Sequence, residues 1–492
     1  MSQTMFDPGS EITSHVRDRF YINGEWIRAH SSERSVLVSP DTELKFIDAP
    51  LADQVDVDRA VAAARNAFDS GPWPGLAPAQ RAVHLRALAV ELRRRLPLFS
   101  RLWTAQVGAP VSFANLFVGV APAMFDYYAD LLETYAFEDR RKTAYGHAQV
   151  IREPVGVAAL IAPWNATLPI LSYKLAAALA AGCTTVVKSS PETPLDLLLL
   201  AECAEAVGIP PGVVNVITAD REAGAYLVAQ RGIDKVSFTG STAAGKQIAR
   251  VCIDRMARFT LELGGKSAAI LLDDVDLATI LGGLAPFTMP FSGQICFAQT
   301  RIIAPRKRLD EIVQAYAGAM SGLVVGDPWS EATHLGPLSS ARQLDRTIGY
   351  VERAVAEGAR LVTGGKRSGH LDRGYYFQPT VFADVTADMT IAREEVFGPV
   401  VSVIAYDDVE DAIRLANDSD FGLSGTVFSS DPERGYQVAR RIKTGNIGVN
   451  GLEMAPNIPF GGYKQSGVGR EGGPEGLEAF LETKAVYRIG VA

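Results

Sequence analysis

The chain has 492 residues, of which 47% are hydrophobic and 21% charged, with a formal net charge of −8. This is ordinary soluble globular composition, with length for roughly two to four domains, and the negative balance argues against a partner held through nucleic-acid phosphates. The most apolar region, residues 155–187, is interrupted by Pro163, Asn165, Pro169, Lys174 and Gly182, so no membrane span of about 18 apolar residues is expected. The opening MSQTMFDPGSEITSHVRDRF lacks a basic start followed by an apolar run, so no secretory signal is expected. Cys183, Cys203, Cys252 and Cys296 form no CxxC pair and the six histidines no HExxH, so neither a disulfide framework nor a metal site is signalled, and a reducing cytoplasm fits.

The first 50 residues read as short strands and turns, with Asn23-Gly24 a hairpin signal. From Asp53 the period turns helical: Val57, Val61, Ala64 and Phe68 share a face until Gly71-Pro72 stops the helix. Leu85, Leu88 and Leu92 mark a second helix, with Arg93 to Arg95 expected near its end as a solvated face favourable to the helix terminus. Residues 144–151 read as a strand with no neighbour in sequence.

From Val155 strands and helices alternate. A strand ends at Pro163-Trp164-Asn165. A helix follows over 168–181, stopped by Gly182, then strands at 184–188, 213–218 and 235–239, with helices at 194–207, through Tyr226, and from Thr242. Such alternation predicts a parallel doubly wound sheet covered on both faces. A second alternating stretch runs from Ser267 to about Gly448. The expected fold class is α/β, two doubly wound parallel-sheet domains with a cleft between them. Residues 481–487 form another stray strand, which could pair with 144–151 as an arm or lie at a sheet edge.

Gly240-Ser241-Thr242-Ala243-Ala244-Gly245-Lys246 approaches a phosphate loop, but residue 247 is Gln where a magnesium-binding hydroxyl is needed. The GxGxxG fingerprint is absent too. Still, Phe238-Thr239-Gly240 is a strand running into a glycine turn and a helix start, whose free amides can take a pyrophosphate; Ser241 and Thr242 are equally ordinary N-caps. Lys188, at the carboxyl end of a parallel strand, points into a ligand crevice. Cys296 follows Gly293-Gln294, which allows a tight, exposed turn, and Glu262 lies 34 positions earlier in Glu262-Leu263-Gly264-Gly265-Lys266. A lone Cys is a candidate nucleophile; Cys183, Cys203 and Cys252 read as small buried hydrophobes.

Taken together, Pro163-Trp164-Asn165, Phe238-Thr239-Gly240-Ser241-Thr242, Glu262-Leu263-Gly264-Gly265-Lys266 and the Cys296 segment resemble the signatures of the NAD(P)-dependent aldehyde dehydrogenase superfamily, in order over about residues 20–488. The resemblance implies oxidation of an aldehyde to its acid through a covalent Cys296 adduct, with Asn165 and the Cys296 amide holding the oxyanion. Glu262 would be the general base, and its presence implies a hydrolytic enzyme, since CoA-acylating relatives tend to lack it. Lys174 and Glu471 match positions that assist the proton relay, or are a structural ion pair. Cofactor contacts are implied at Ile161, Pro163, Trp164, Lys188, Ser190, Gly240, Ser241, Gly245, Glu262, Leu263, Gly264, Glu395 and Phe397, with Glu394 facing elsewhere. NAD is implied. Many NAD-preferring members carry Glu three residues after the Lys, where this chain has Pro191 and then Glu192, so NADP is less strongly excluded. The implied division is a dinucleotide-binding domain of residues 1–132 and 152–261, a catalytic domain of 262–465, and an oligomerisation arm of 133–151 and 474–492, for a homodimer or homotetramer.

Candidate pocket walls are Ala166, Tyr173, Ile295, Phe297, Met454 and Phe460; Tyr173, Phe297 and Phe460 could stack on an aromatic or aliphatic tail and are equally well explained as core packing. Ala166 stands where several relatives have a bulky aromatic, which leaves room for a wider or longer aldehyde, and no Arg or Lys cluster announces a charged substrate. A neutral, apolar aldehyde is expected. A cofactor-independent thiol esterase and a scaffold protein without turnover are the competing readings.

Overall fold

A computed structural model of the chain describes residues 18–490, so the amino-terminal stretch read for a signal lies, up to residue 17, outside the described residues. Two large sheets carry the fold. In the first, Val157–Ile161, Thr184–Ser189, Val214–Thr218, Lys235–Thr239 and Arg258–Glu262 run parallel. Its sheet order starts from the Asn23-Gly24 hairpin (Glu25–Arg28, Arg19–Ile22) and continues 214–218, 184–189, 157–161, 235–239, 258–262, ending on the short Gly467–Val468. The second sheet has the order 360–363, 380–383, 400–406, 301–305, 268–271, 425–428, 448–449, parallel except at its first edge strand.

Both sheets are covered on both faces, which is why their strands read as continuous apolar runs. In Val157–Ile161, Ala158 and Leu160 enter one core, while Val157, Ala159 and Ile161 enter another. In Ala268–Leu271, Ala268 and Ile270 pack on one side, and Ala269 and Leu271 on the other. In the first sheet the chain steps one way from 157–161 to 184–189 and 214–218, then crosses back to 235–239 and 258–262. The order reverses between 157–161 and 235–239, and a crevice opens at such a switch point beyond the carboxyl ends of the strands. The turns found there are Ala162 to Asn165 and Gly240-Ser241.

Several expectations are corrected. The second helix does not end near Arg95; it runs Pro78–Val107 straight through Pro97. Pro in a helix interior costs about 3 kcal/mol, but the buried face continues past it through Phe99, Leu102 and Trp103, and packing overrides the breaker. Arg93 to Arg95 are therefore mid-helix and answer to carboxylates rather than to a helix end: Arg93 pairs with Asp126, Arg94 with Glu91 at 2.6 Å, and Arg95 with Glu202 at 2.6 Å. The strand expected at 144–151 is Gly146–Pro154, because the chain turns at Ala144-Tyr145 from a third strand, Glu138–Thr143. Leu481–Ile489 pairs antiparallel with Gly146–Pro154 along its whole length, so the two stray strands do form one three-stranded arm. Among the described residues no helix is long and apolar enough to cross a membrane.

Candidate active site

Cys296 lies between the two sheets, just ahead of strand Arg301–Pro305. Of the four cysteines it alone is partly accessible. The turn before it is buried, not exposed as expected, and glycine is not the sole left-handed residue in it. Phe291 (φ 47°, ψ 51°), Ser292 (φ 53°, ψ 33°) and Gly293 (φ 76°) are left-handed in succession. For the two non-glycines this costs about 1–2 kcal/mol each. Gly293 is required twice over, because a Cβ there would lie 2.1 Å from the Gly398 carbonyl oxygen.

Asn165, buried at the carboxyl end of the first sheet, donates from Nδ2 to the Gln294 carbonyl at 2.9 Å. An amide has two N–H donors, so the second is available to an oxygen beside Cys296. Trp103 Nε1 donates to the Asn165 carbonyl at 2.7 Å and fixes that turn from below. Burial pushes the Cys296 thiol up to about 12, with Glu395 and Glu262 adding to the rise, while the backbone amides of Cys296 and Phe297 pull it back. A thiol so placed holds its proton until a base takes it.

Glu262 ends strand Arg258–Glu262, in register with Thr239. Both its carboxyl oxygens are buried without a hydrogen-bond partner. Burial raises its pKa well above the ordinary carboxylate range, and Glu471 pushes further, against Lys174 and Arg470. Lys174 and Glu471 form a buried ion pair, and Ser237 Oγ donates to the same Glu471 oxygen at 3.1 Å. Ser237 joins this group only through the register of strand 235–239, and no sequence signal marks it.

The cofactor candidates gather at the switch point. A crevice of about 360 Å3 has apolar walls at Ile161, Val228, Phe238 and Val251, with Lys188, Ser190 and Glu192 at its polar side. Burial lowers Lys188 to about 8, against the opposing pull of Glu192 and Asp220. Ser190 Oγ hydrogen-bonds Glu192, and Arg342 lies 3.4 Å from the other Glu192 oxygen. Ser241 is the N-cap of helix Thr242–Asp254, accepting from Ala244 N at 3.3 Å. The Gly240 amide donates to the Glu262 carbonyl at 3.0 Å, and Gly245 packs against Leu263. Gly264 abuts Glu395, whose Oε1 accepts the Gly265 amide at 3.0 Å; burial raises Glu395 to about 7. Glu394 does face elsewhere, accepting from Tyr350 Oη at 2.7 Å. Phe397 stands edge-on to Trp164 at 5.5 Å and 82°, which brings the loop after strand 157–161 against the loop before strand 400–406. A narrow apolar crevice for a flat base, a lysine donor, and free amides at a helix start together fit a dinucleotide.

On the other side of Cys296, Ala166 and Ile295 are buried, and Tyr173 and Phe460 are ring neighbours at 6.4 Å. Phe460 also pairs backbone-to-backbone with Glu471, at 2.6 and 2.8 Å. Met454 is half-buried on the loop leading to Phe460. A row of aromatics went unread in the sequence. Phe297 neighbours Phe117 at 6.5 Å, Phe117 stacks on Phe113 at 5.3 Å, and Phe113 stacks on Phe291 at 6.1 Å. The spacing of Phe113 and Phe117, one helical turn apart, could have flagged them. Leu116, beside them, is 79% exposed.

The profile of the aldehyde dehydrogenase family matches residues 26–486. Among curated relatives, the geranial dehydrogenase of Castellaniella defragrans is 45% identical over 96% of this chain and 98% of its own length. A 3-succinoylsemialdehyde-pyridine dehydrogenase of Pseudomonas sp. is 42% identical over 95% and 98%. Among solved structures, a Mycobacterium tuberculosis aldehyde dehydrogenase complexed with NAD+ superposes with a TM-score of 0.95 at 43% identity, covering 96% of this chain and 99% of that one. A Cys-to-Ala mutant of aldehyde dehydrogenase C from Pseudomonas syringae, with NAD+ and octanal, gives 0.94 at 40% identity over 98% of both chains.

Proposed function

The chain belongs to the aldehyde dehydrogenase family, and from that premise we propose that it oxidises a neutral, apolar aldehyde to the free carboxylic acid with NAD+, through a thioester on Cys296. The observation that carries this reading is that Asn165 holds the Gln294 carbonyl two residues before Cys296, while the buried, unpartnered carboxyl of Glu262 acts on the Cys296 thiol. Glu262 accepts the thiol proton as Cys296 Sγ bonds to the aldehyde carbon. The carbonyl oxygen, now negative, takes hydrogen bonds from Asn165 Nδ2 and the Cys296 amide, donors that need no reorganisation during the reaction. Bound in the crevice, NAD+ supplies the acceptor for the hydride lost from that carbon. Once Glu262 has passed that proton on, a water gives its own proton to Glu262 and attacks the thioester, and the acid leaves as Cys296 takes this proton back from Glu262 to regain its thiol. Lys174, Glu471 and Ser237 carry the surplus proton away from Glu262.

Lys188 and Ser190 would hold the adenosine ribose, and Glu395 the second ribose, with Phe397 and Trp164 beside the ring. The domain division set out above goes with this assignment. Glu192, steered by Ser190 and Arg342, would take the diol-binding part that Pro191 cannot, and its charge would disfavour a 2′-phosphate. The relatives named for geranial and solved with octanal, and the aromatic row Phe297–Phe117–Phe113, support an apolar substrate. The arm leaves Tyr145, Tyr487 and Ile489 exposed at 78%, 66% and 72%, which suits burial against a second copy in a homodimer or homotetramer. A cytoplasmic location fits a nucleophile that works as a free thiol.

The test is absorbance at the reduced-nicotinamide band with NAD+ and NADP+ in parallel against aliphatic, aromatic and charged aldehydes. Signal with NAD+ and apolar aldehydes is expected, and Cys296→Ala should abolish it while keeping cofactor binding. Multiple turnover by Cys296→Ala would sink the covalent mechanism.

A further inference from the structure

We propose that Ser292 is a positioning residue, and that the left-handed turn Phe291-Ser292-Gly293 is held under backbone strain so as to aim Cys296 at Asn165. The inference rests on Cys296 being the nucleophile. Its starting point is an oddity of residue choice: two consecutive side-chain-bearing residues sit at φ 47° and 53°, where glycine or asparagine would be at ease.

Strain persists only where the surroundings over-determine it, and three anchors do so here. The Phe291 ring is buried edge-on to Trp103 at 5.7 Å and stacked on Phe113 at 6.1 Å. Ser292 Oγ donates to the Gly336 carbonyl at 2.8 Å. Gln294 accepts the Ser339 amide at 2.9 Å. None of these anchors touches the reacting atoms. Gly293 meanwhile approaches the Gly398 carbonyl so closely that no Cβ would fit, which brings the turn against the segment bearing Glu395 and Phe397. What leaves the turn is the Gln294 carbonyl, held by Asn165 at 2.9 Å, and two residues later Cys296. A relaxed, right-handed path through 291 and 292 would send that carbonyl elsewhere and separate thiol from oxyanion donor.

The experiment is single-turnover hydride transfer on acetaldehyde, an aldehyde too short to need the aromatic row, in wild type, Ser292→Ala and Ser292→Gly. Alanine keeps a Cβ at the left-handed position but loses the anchor; glycine adopts that backbone freely. The expected result is that Ser292→Ala slows acylation at least about fivefold with the NAD+ KM held within about twofold, and that Ser292→Gly recovers most of the loss. Ser292→Ala acylating at a rate nearer wild type than that, or Ser292→Gly being as slow as Ser292→Ala, overturns the proposal. Should Ser292→Ala not fold, Phe113→Leu replaces it, removing one wall of the Phe291 anchor. It should slow acetaldehyde acylation by at least about threefold, and a smaller change overturns the proposal. Wild type without hydride transfer on octanal as well as acetaldehyde would instead sink the assigned reaction, so the two failures are distinct.

Discussion

The side chain of Asn165 reaches across from the first sheet and holds the carbonyl of Gln294 at 2.9 Å, two residues before Cys296. One hydrogen bond thus fixes the nucleophile's approach, and the remaining N–H of the same amide is left for the oxygen of the substrate. Asn165→Ala removes both. We expect kcat to fall about 10²–10³-fold, the usual loss for one oxyanion donor, with the KM for NAD+ little changed. Steady-state kinetics that split kcat from KM check this, and a purely KM effect would contradict it.

Glu262 acts as a base only when ionised, and burial with Glu471 nearby holds its pKa well above the carboxylate range. The rate of thioester hydrolysis should therefore rise with pH and be lost as pH falls through that raised pKa. Glu262→Gln should slow hydrolysis about 10²–10⁴-fold and flatten this ascending limb. Because Glu262 also takes the thiol proton, stopped-flow records should then show the burst of reduced cofactor slowed as well as the phase after it; a variant with wild-type turnover would refute the role.

Glu192 lines the crevice together with Lys188 and Asp220, and Ser190 is hydrogen-bonded to it. Glu192→Gln keeps the shape and removes a charge that would face a 2′-phosphate. The kcat/KM ratio of NADP+ to NAD+ should rise about tenfold or more. An unchanged ratio would mean that cofactor choice is made elsewhere.

Phe117 joins Phe297 to Phe113. If the row carries the substrate tail, Phe117→Ala should cut kcat/KM for octanal or geranial about 10- to 100-fold, while acetaldehyde changes by no more than about threefold. An equal loss for short and long aldehydes would show a packing role instead.

Asp196 is fully buried at the start of helix Leu195–Ala206, accepting from Gln106 Nε2 at 2.6 Å, and burial raises it to about 7. The folded state therefore holds this proton at pH values where the unfolded state has lost it. Stability from this group is greatest at low pH and declines as pH rises from the unfolded value near 4 to about 7. Asp196→Asn removes that decline, so the variant should gain on wild type by on the order of 1–3 kcal/mol between about pH 5 and pH 8. Thermal melts across that range check it; parallel curves would count against the buried proton.

The sequence by itself determined the α/β class and the parallel strands from 157 to 239, offered residues 144–151 as one of two places for the carboxyl-terminal strand, and named Cys296, Glu262 and Asn165 as candidates. Those are local matters: apolar runs buried on both faces, turn residues at strand ends, and short motifs whose chemistry can be read without coordinates. It misjudged the helix through Pro97, because Phe99, Leu102 and Trp103 bury a face that outweighs the proline. It also expected an exposed turn before Cys296, whereas the tertiary structure buries it. Only the tertiary structure decided that Ser237 touches Glu471, that Phe113 stacks on Phe291, that Gly293 lies against Gly398, and that Phe291 and Ser292 are left-handed. The three contacts join residues 234, 178 and 105 positions apart, and the backbone angles at Phe291 and Ser292 are set by contacts of the same kind. The energy that fixes them comes from packing between elements, and no periodicity or propensity along the chain reports it.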